Sequence, residues 1–563
     1  MKIKLYLLLW MLILFFAATI VLFSNVDTIK PLEPQNLSKL SDDLKEGNPK
    51  MEYVLYKLMK TYFEQGIEKA KEFANQRRID MQDGFVRVVA ESNGVRSISN
   101  IRDTMSVKRT NYLITEQIKA LGGKVETAYG NLIQSIIPID RLNDLIYLPY
   151  VRYLRLPKKP IPCVVSEDVE KTGADQWQTV TPYRTSEIVK VCILDAGFKG
   201  YENLLGTELP DSVVTRSFRS DRNLCADKHG TACAEIVHDM APNAKLWLVN
   251  FNTDVEHHNA VDWIINQGID IVSYSIVWLN SGAGDGTGPI CEDVKKADSN
   301  GIIWVSAAGN EADRHWEGNF NDTDNDNWHN FSGADEGLTI YVDAYTPVEM
   351  YLNWNDWGYW NGNRYSGSNQ DYDLYLYIWN GYYWQYVDSS MNYQTGTQWP
   401  VESIWGWYSK ISTWWFVLIE KYHATKKVKL ELFIYGASGD LEYNEKYGSL
   451  LIPADSANSI TVGATDLSDD SLHWYSSRGP TSDGRIKPDM CAPAGVSSFT
   501  YGNLAFYGTS ASTPHVAGAF ALLKEKFPYT LNQINAILEA RAKDLGPAGK
   551  DNRFGIGRLK LTK

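Results

Sequence analysis

Gly508-Thr-Ser-Ala-Ser-Thr-Pro-His-Val-Ala-Gly518 is the stretch on which the reading of this chain turns. Ser510 sits between Gly508-Thr509 and a run of small residues that opens an apolar helical segment, Val516 to Leu523. A side chain at a helix start faces unpaired N–H groups and the positive end of the helix dipole. A serine there suits acyl transfer, in which an oxyanion forms beside the nucleophile. The plain alternative is that Ser510 is an N-cap and Pro514 a first-turn proline. The rest of the chain has to decide between them.

Strand and helix alternate from about residue 187. Ile188-Val-Lys-Val-Cys-Ile-Leu194 is a near-continuous apolar run, as in a buried parallel strand. Similar runs follow at Ala244 to Val249, Ile269 to Ser275 and Gly301 to Ala307, with helical stretches between them. Such alternation predicts an α/β domain whose sites form at the carboxyl ends of strands. Asp195 and the turn Ala308-Gly309-Asn310 sit at such ends, and His229 opens a helical stretch. A serine hydroxyl needs a neutral imidazole to take its proton. The imidazole needs an acid to hold its tautomer, and the oxyanion needs aimed donors. Asp195, His229, Ser510 and Asn310 can fill these four roles.

Asp195-Ala-Gly197, His229-Gly-Thr231, Ala308-Gly309-Asn310 and the Ser510 stretch resemble, in order, the signature blocks of the subtilisin-like serine proteases. Pro453-Ala454, Thr461-Val-Gly-Ala464 and Ser477-Arg-Gly-Pro480 fit the same pattern. The resemblance implies an α/β fold with a mainly parallel sheet flanked by helices. It assigns Ser510 as nucleophile, His229 as base and then acid, Asp195 as the orienting acid and Asn310 as oxyanion donor. Ser273, Tyr274 and Ser275 match the family segment that pairs with substrate backbone, with Ala308 and Gly309 beside it. The chemistry requires no cofactor. Three positions depart from the pattern: Ala196 replaces a hydroxyl residue, Glu235 a glycine of the histidine helix, and Ser512 a methionine.

The remaining segments take their meaning from this assignment. Leu5 to Phe23, behind Lys2 and Lys4, are apolar or small, so residues 1–30 read as a signal peptide or signal anchor. The expected location is therefore extracellular or membrane-anchored facing outside. Residues 31–84 read as a helical spacer. Residues 85–157 follow a βαββαβ, ferredoxin-like α+β plan and resemble the family's inhibitory propeptides, with self-cleavage expected within 157–175. The catalytic domain occupies 160–312 and 448–563. Residues 313–447 interrupt it and hold more than half of the 19 tryptophans. Alternating strands there predict an inserted all-β sandwich. Its aromatics read chiefly as core and edge packing, and otherwise as a face for carbohydrate or cell wall.

Asp322, Asp324 and Asp326 alternate in a manner that suits structural calcium, although the glycine and final glutamate of an EF-hand are missing. Gly282-Ala-Gly-Asp-Gly-Thr-Gly288 lacks the lysine of a phosphate loop and reads as a flexible loop near the substrate pocket. The six cysteines allow fifteen full pairings, and the sequence selects none. A net charge of −13 argues against nucleic-acid binding. The expected partners are protein or peptide substrates and the chain's own propeptide. The expected activity is that of an exported, self-processed endopeptidase. The alternative is a cell-surface or carbohydrate-binding protein built on an inactive protease scaffold.

Overall fold

The computed structural model describes residues 47–562, apart from 78, 94–100, 159–160, 163–168, 181–187 and 528. The expected signal segment, 1–30, lies outside the described residues, as does much of the expected processing stretch. Among the described residues no helix is long and apolar enough to cross a membrane.

A seven-stranded sheet organises the molecule. Its strands run in the order 490–494, 459–466, 303–307, 271–274, 190–195, 245–250, 214–217, and every neighbouring pair is parallel. The central strand Lys190–Asp195 shows why a continuous apolar run was needed. Val191 and Ile193 enter the core beneath the Ser510 helix, whereas Cys192 and Leu194 enter the core on the other face. Side chains alternate across a strand, so a sheet covered on both faces demands apolar residues at every position. The Ser510 helix, Thr509–Lys526, is buried along almost its whole length, and the helix His229–Met240 packs against it.

Residues 81–155 form a separate antiparallel sheet. The strands 151–155, 85–92, 132–138 and 124–129 lie side by side in that order, as in the split βαβ plan. The preceding helices, Tyr53–Gln65 and Ile67–Gln76, do not stand apart as a spacer. Leu55, Leu58, Met59, Ala70 and Ala74 share one core with Val86, Val88, Ile133 and Ile137. An apolar stripe on a short helix is stable only when something covers it, and this sheet does so.

The insertion is a sandwich of two four-stranded antiparallel sheets. One contains the strands 315–319, 429–435, 348–354 and 401–407; the other contains 338–342, 413–423, 371–379 and 384–390. Trp316, Trp354, Tyr372 and Trp415 fill the space between them. Tyr345, Tyr359, Tyr382 and Tyr383 remain on the surface. The glycine-rich loop 282–288 is tied down rather than loose: the Gly286 N–H donates to Asp455 (2.8 Å), and the Thr287 hydroxyl lies 2.9 Å from that of Tyr365.

Candidate active site

Asp195 ends the central strand and is fully buried. Its Oδ1 accepts the Ala196 N–H at 2.7 Å and lies 2.7 Å from His229 Nδ1. Burial pushes its carboxyl above the usual range, against the opposing pull of His229. His229 is the first residue of its helix, and its own N–H donates to Asp227 at 2.7 Å. The next residue has to be glycine, because a Cβ on Gly230 would lie 2.6 Å from the Phe198 ring and 2.8 Å from Asp195 Cβ. The strand end and the helix start can therefore approach closely enough for the carboxylate to reach the imidazole. His229 Nε2 is buried and has no hydrogen-bond partner among the described residues.

Ser510 is the second residue of its helix, after Gly508, whose φ of 110° suits glycine. Ser510 Oγ donates to the Ser275 carbonyl at 3.0 Å, and Ser275 Oγ donates to the Ser510 carbonyl at 3.1 Å. This paired contact pins the start of the Ser510 helix to the end of the 271–274 strand. No hydrogen bond joins Ser510 Oγ to His229 in this arrangement. Such bonds are commonly long in sites without substrate.

Asn310 follows the strand Ile303–Ala307. Its Oδ1 accepts the Thr509 N–H at 2.8 Å and the Thr509 hydroxyl at 3.1 Å. The amide oxygen is thus spent on the residue before Ser510, leaving the NH2 end to donate. Thr509 was not singled out in the sequence, and a hydroxyl directly before the nucleophile was its only signal. Glu311 was also missed. It receives the Asn310 N–H, and the Tyr435 hydroxyl from the inserted sandwich donates to it at 3.0 Å. Burial pushes Glu311 up to about 7.

The residues read as substrate-binding are placed differently. Ser273 pairs with Val305 on one side and Ile193 on the other, and Tyr274 is fully buried. Ser273 is thus enclosed by strands on both sides, and Tyr274, paired with Ser306, is enclosed by burial. The edge that takes an added strand begins two residues later. Ile276–Val277 pairs antiparallel with Ile161–Pro162, Ile276 opposite Pro162 and Val277 opposite Ile161. Ser275 forms the junction between that edge and Ser510. Ala308 and Gly309 are held from behind: the Ala308 carbonyl accepts from Leu451, and the Gly309 carbonyl from Ser477.

Asp322, Asp324 and Asp326 bring carboxylate oxygens within 4.8 Å of one another. An all-oxygen donor set fits calcium, but Lys421 Nζ already pairs with Asp322 at 2.9 Å. Glu336, ten residues after Asp326, lies beside the cluster; burial and then the repulsion of Asp326 and Asp324 push it up to about 7. His257, His258 and Asp293 form a further buried group, with both Nδ1 atoms on one Asp293 oxygen at 3.0 and 2.5 Å. Five cysteines, Cys192, Cys225, Cys233, Cys291 and Cys491, form no disulfide among the described residues.

The arrangement agrees with what the chain is similar to. A 130-residue segment is 38% identical to alkaline elastase YaB of Bacillus sp. (strain YaB), covering 22% of this chain and 31% of that protein. A 127-residue segment is 37% identical to subtilisin Savinase of Lederbergia lenta, covering 22% and 43%. A shorter segment of 62 residues is 50% identical to an extracellular serine protease of Serratia marcescens, covering 11% and 6%. The chain thus spans less than half the length of these curated relatives. Among solved structures, the Clostridium perfringens CspB protease aligns at 18% identity and a TM-score of 0.48, over 69% of this chain and 96% of that one. The subtilase family model matches residues 186–380 and 402–557, which include all four motif blocks and more than half of the chain. A parallel sheet that delivers an aspartate, a helix-start histidine and a helix-start serine to one place, inside that match, makes this chain a member of the subtilase family.

Proposed function

We propose that the chain is an exported serine endopeptidase that hydrolyses peptide bonds through an acyl-enzyme and is made as a self-processed precursor. The observation that carries this reading is the buried Asp195–His229 pair at 2.7 Å beside Ser510 at a helix start. In the proposed cycle His229 Nε2 takes the Ser510 proton as Oγ attacks the scissile carbonyl. Charge gathers on the carbonyl oxygen, to which the Asn310 NH2 group and the Ser510 N–H donate. His229 then gives the proton to the leaving nitrogen, and the C–N bond breaks. Water, deprotonated by the same imidazole, releases the acyl group and restores Ser510. Asp195 stays ionised and stabilises the imidazolium.

The strand pairing of Ile161–Pro162 with Ile276–Val277 supports self-processing. A peptide continuing that antiparallel register reaches Ser275, and with it Ser510, one residue beyond Pro162. The residue 81–155 body acts in this reading as inhibitor and folding aid. It docks on the helix Asp254–Asn266 through Arg155 to Asp254 at 2.6 Å and Thr253 to Gln134 at 2.8 Å. Anchoring through the N-terminus and contact of the sandwich tyrosines with carbohydrate or cell wall remain parts of the proposal. The deciding experiment is to size and N-terminally sequence wild type beside Ser510→Ala, with a serine-directed phosphonate as active-site label. Wild type is expected to be labelled and to begin at or next to Val164, with Ser510→Ala full length and unlabelled. Full-length, unlabelled wild type would favour the inactive-scaffold alternative.

A further inference from the structure

Glu235 stands where the family pattern has glycine, and no step of the proposed chemistry uses it. It is 2% exposed, in the seventh position of the helix that His229 begins. A buried carboxylate without strong donors is costly, so its partners show what it holds. Its Oε2 accepts the Phe499 N–H at 2.8 Å, and its Oε1 accepts the Thr500 hydroxyl. Phe499 and Thr500 form the turn of a hairpin whose strands are Val496–Ser498 and Gly502–Phe506. The same helix grips the turn a second time, as Lys228 Nζ donates to the Thr500 carbonyl at 3.3 Å and covers the Tyr501 ring at 3.5 Å. Tyr501 stacks on Phe506 at 4.9 Å, and Phe506 stands edge-on to His229 at 6.1 Å. Two residues after the hairpin come Gly508 and the Ser510 helix.

The hairpin therefore links the element that carries the base to the element that carries the nucleophile. Its place beside the imidazole also says which half of a substrate it meets. The imidazole delivers its proton to the leaving nitrogen, so a group packed against it flanks the residues after the scissile bond. The edge Ile276–Val277 serves the residues before it. Phe499, Leu504 and Tyr507 are 72%, 55% and 48% exposed on this segment, an apolar surface on the leaving-group side.

We infer that Glu235 is a positioning residue: its carboxylate latches the 496–506 hairpin to the His229 helix and so governs recognition of peptide residues after the scissile bond. The inference rests on the protease reading above. Burial, and to a smaller extent Glu208, pushes Glu235 up to about 7. This cost agrees with a group kept for its two acceptor oxygens.

The test compares two substrates with one acyl half, a peptide carrying three residues after the scissile bond and the corresponding anilide with none. Glu235→Ala is expected to lower kcat/KM for the extended peptide about tenfold, mainly through KM, as for one lost charge-assisted hydrogen bond. The anilide should change less than about twofold by the same scale. Glu235→Gln, which keeps one acceptor for the Phe499 N–H, should recover most of the loss, and Thr500→Ala should reproduce part of it without touching the helix. Amide exchange of 496–506 should quicken in Glu235→Ala while 230–240 stays protected. Equal losses on both substrates, or unchanged exchange in the hairpin, would overturn the latch with the protease reading intact. Wild type that ignores the phosphonate would overturn that reading, and with it the positioning role.

Discussion

In the proposed cycle the Asn310 amide is divided between structure and chemistry. Its oxygen is committed to Thr509, so the NH2 group is the end left to donate to the proposed oxyanion. Asn310→Ala should lower kcat by roughly 10² to 10³ with little change in KM, because this bond is realised in the transition state. Steady-state kinetics of wild type and Asn310→Ala check it. Its neighbour Glu311 makes a pH prediction. Burial raises this carboxyl from 4.5 to about 7, so between those values the folded chain holds a proton that the unfolded chain has lost. The stabilisation is fully present below about 4.5 and is lost as pH rises through about 7. Glu311→Gln should therefore show a flatter Tm–pH curve than wild type across that window. An equally sloped curve would remove Glu311 as the cause. Tyr435→Phe leaves the carboxylate with one donor fewer and should raise its pKa further.

The contact between the residue 81–155 sheet and the helix Asp254–Asn266 is carried by buried charges. Arg155 lies between Glu91 at 2.8 Å and Asp254 at 2.6 Å, all three largely buried. Removing the central cation strips Asp254 of its ion-pair partner, whereas Glu91 keeps Arg152 at 2.8 Å; breaking a buried pair costs about 3–5 kcal/mol. Arg155→Ala in the Ser510→Ala background should accordingly lower the melting temperature of the full-length chain. Replacing the exposed Arg141, which meets Asp144 at 3.3 Å, should leave the melting curve nearly unchanged, as is usual for surface pairs. Equal effects of the two substitutions would show that burial does not set the strength of this junction. The sandwich holds the same body from its other side: Lys57 and Arg77 meet Asp388 at 2.5 and 2.6 Å.

Taken together, the three bodies form one arrangement in which the N-terminal sheet is gripped by both the catalytic core and its insertion. The insertion also touches the catalytic core near the site, through Tyr435 on Glu311. Stability of the sandwich should therefore be felt at the oxyanion side. If the Asp322–Asp326 cluster binds calcium, the ion stabilises the folded state by linkage. Chelation should lower Tm, and Asp324→Asn should abolish the difference between curves with calcium and with chelator. Identical wild-type curves in the two conditions would assign the cluster to its Lys421 pairing alone.

Much of this organisation was legible in the order of residues, for local physical reasons. Buried parallel strands need unbroken apolar runs, so the sheet strands announced themselves. A nucleophile or base at a helix start needs glycine and small residues around it, which made the blocks at His229 and Ser510 readable. The antiparallel strands of the insertion showed through their alternation. What depended on long-range contacts was not readable. Ser273 and Tyr274 matched a peptide-pairing segment, but Ser273 is paired on both sides and Tyr274 is paired with Ser306 and fully buried, and the edge that takes an added strand falls at Ile276–Val277. The apolar stripe of 53–76 was visible, but not the sheet that covers it. Glu235 looked like a misfit in its helix because the groups that justify it, Phe499 and Thr500, lie some 264 residues further along the chain. Local patterns specify which elements form and which face is apolar. Partners distant in sequence decide which edges stay open and which buried charges find donors, and only the folded chain brings those partners together.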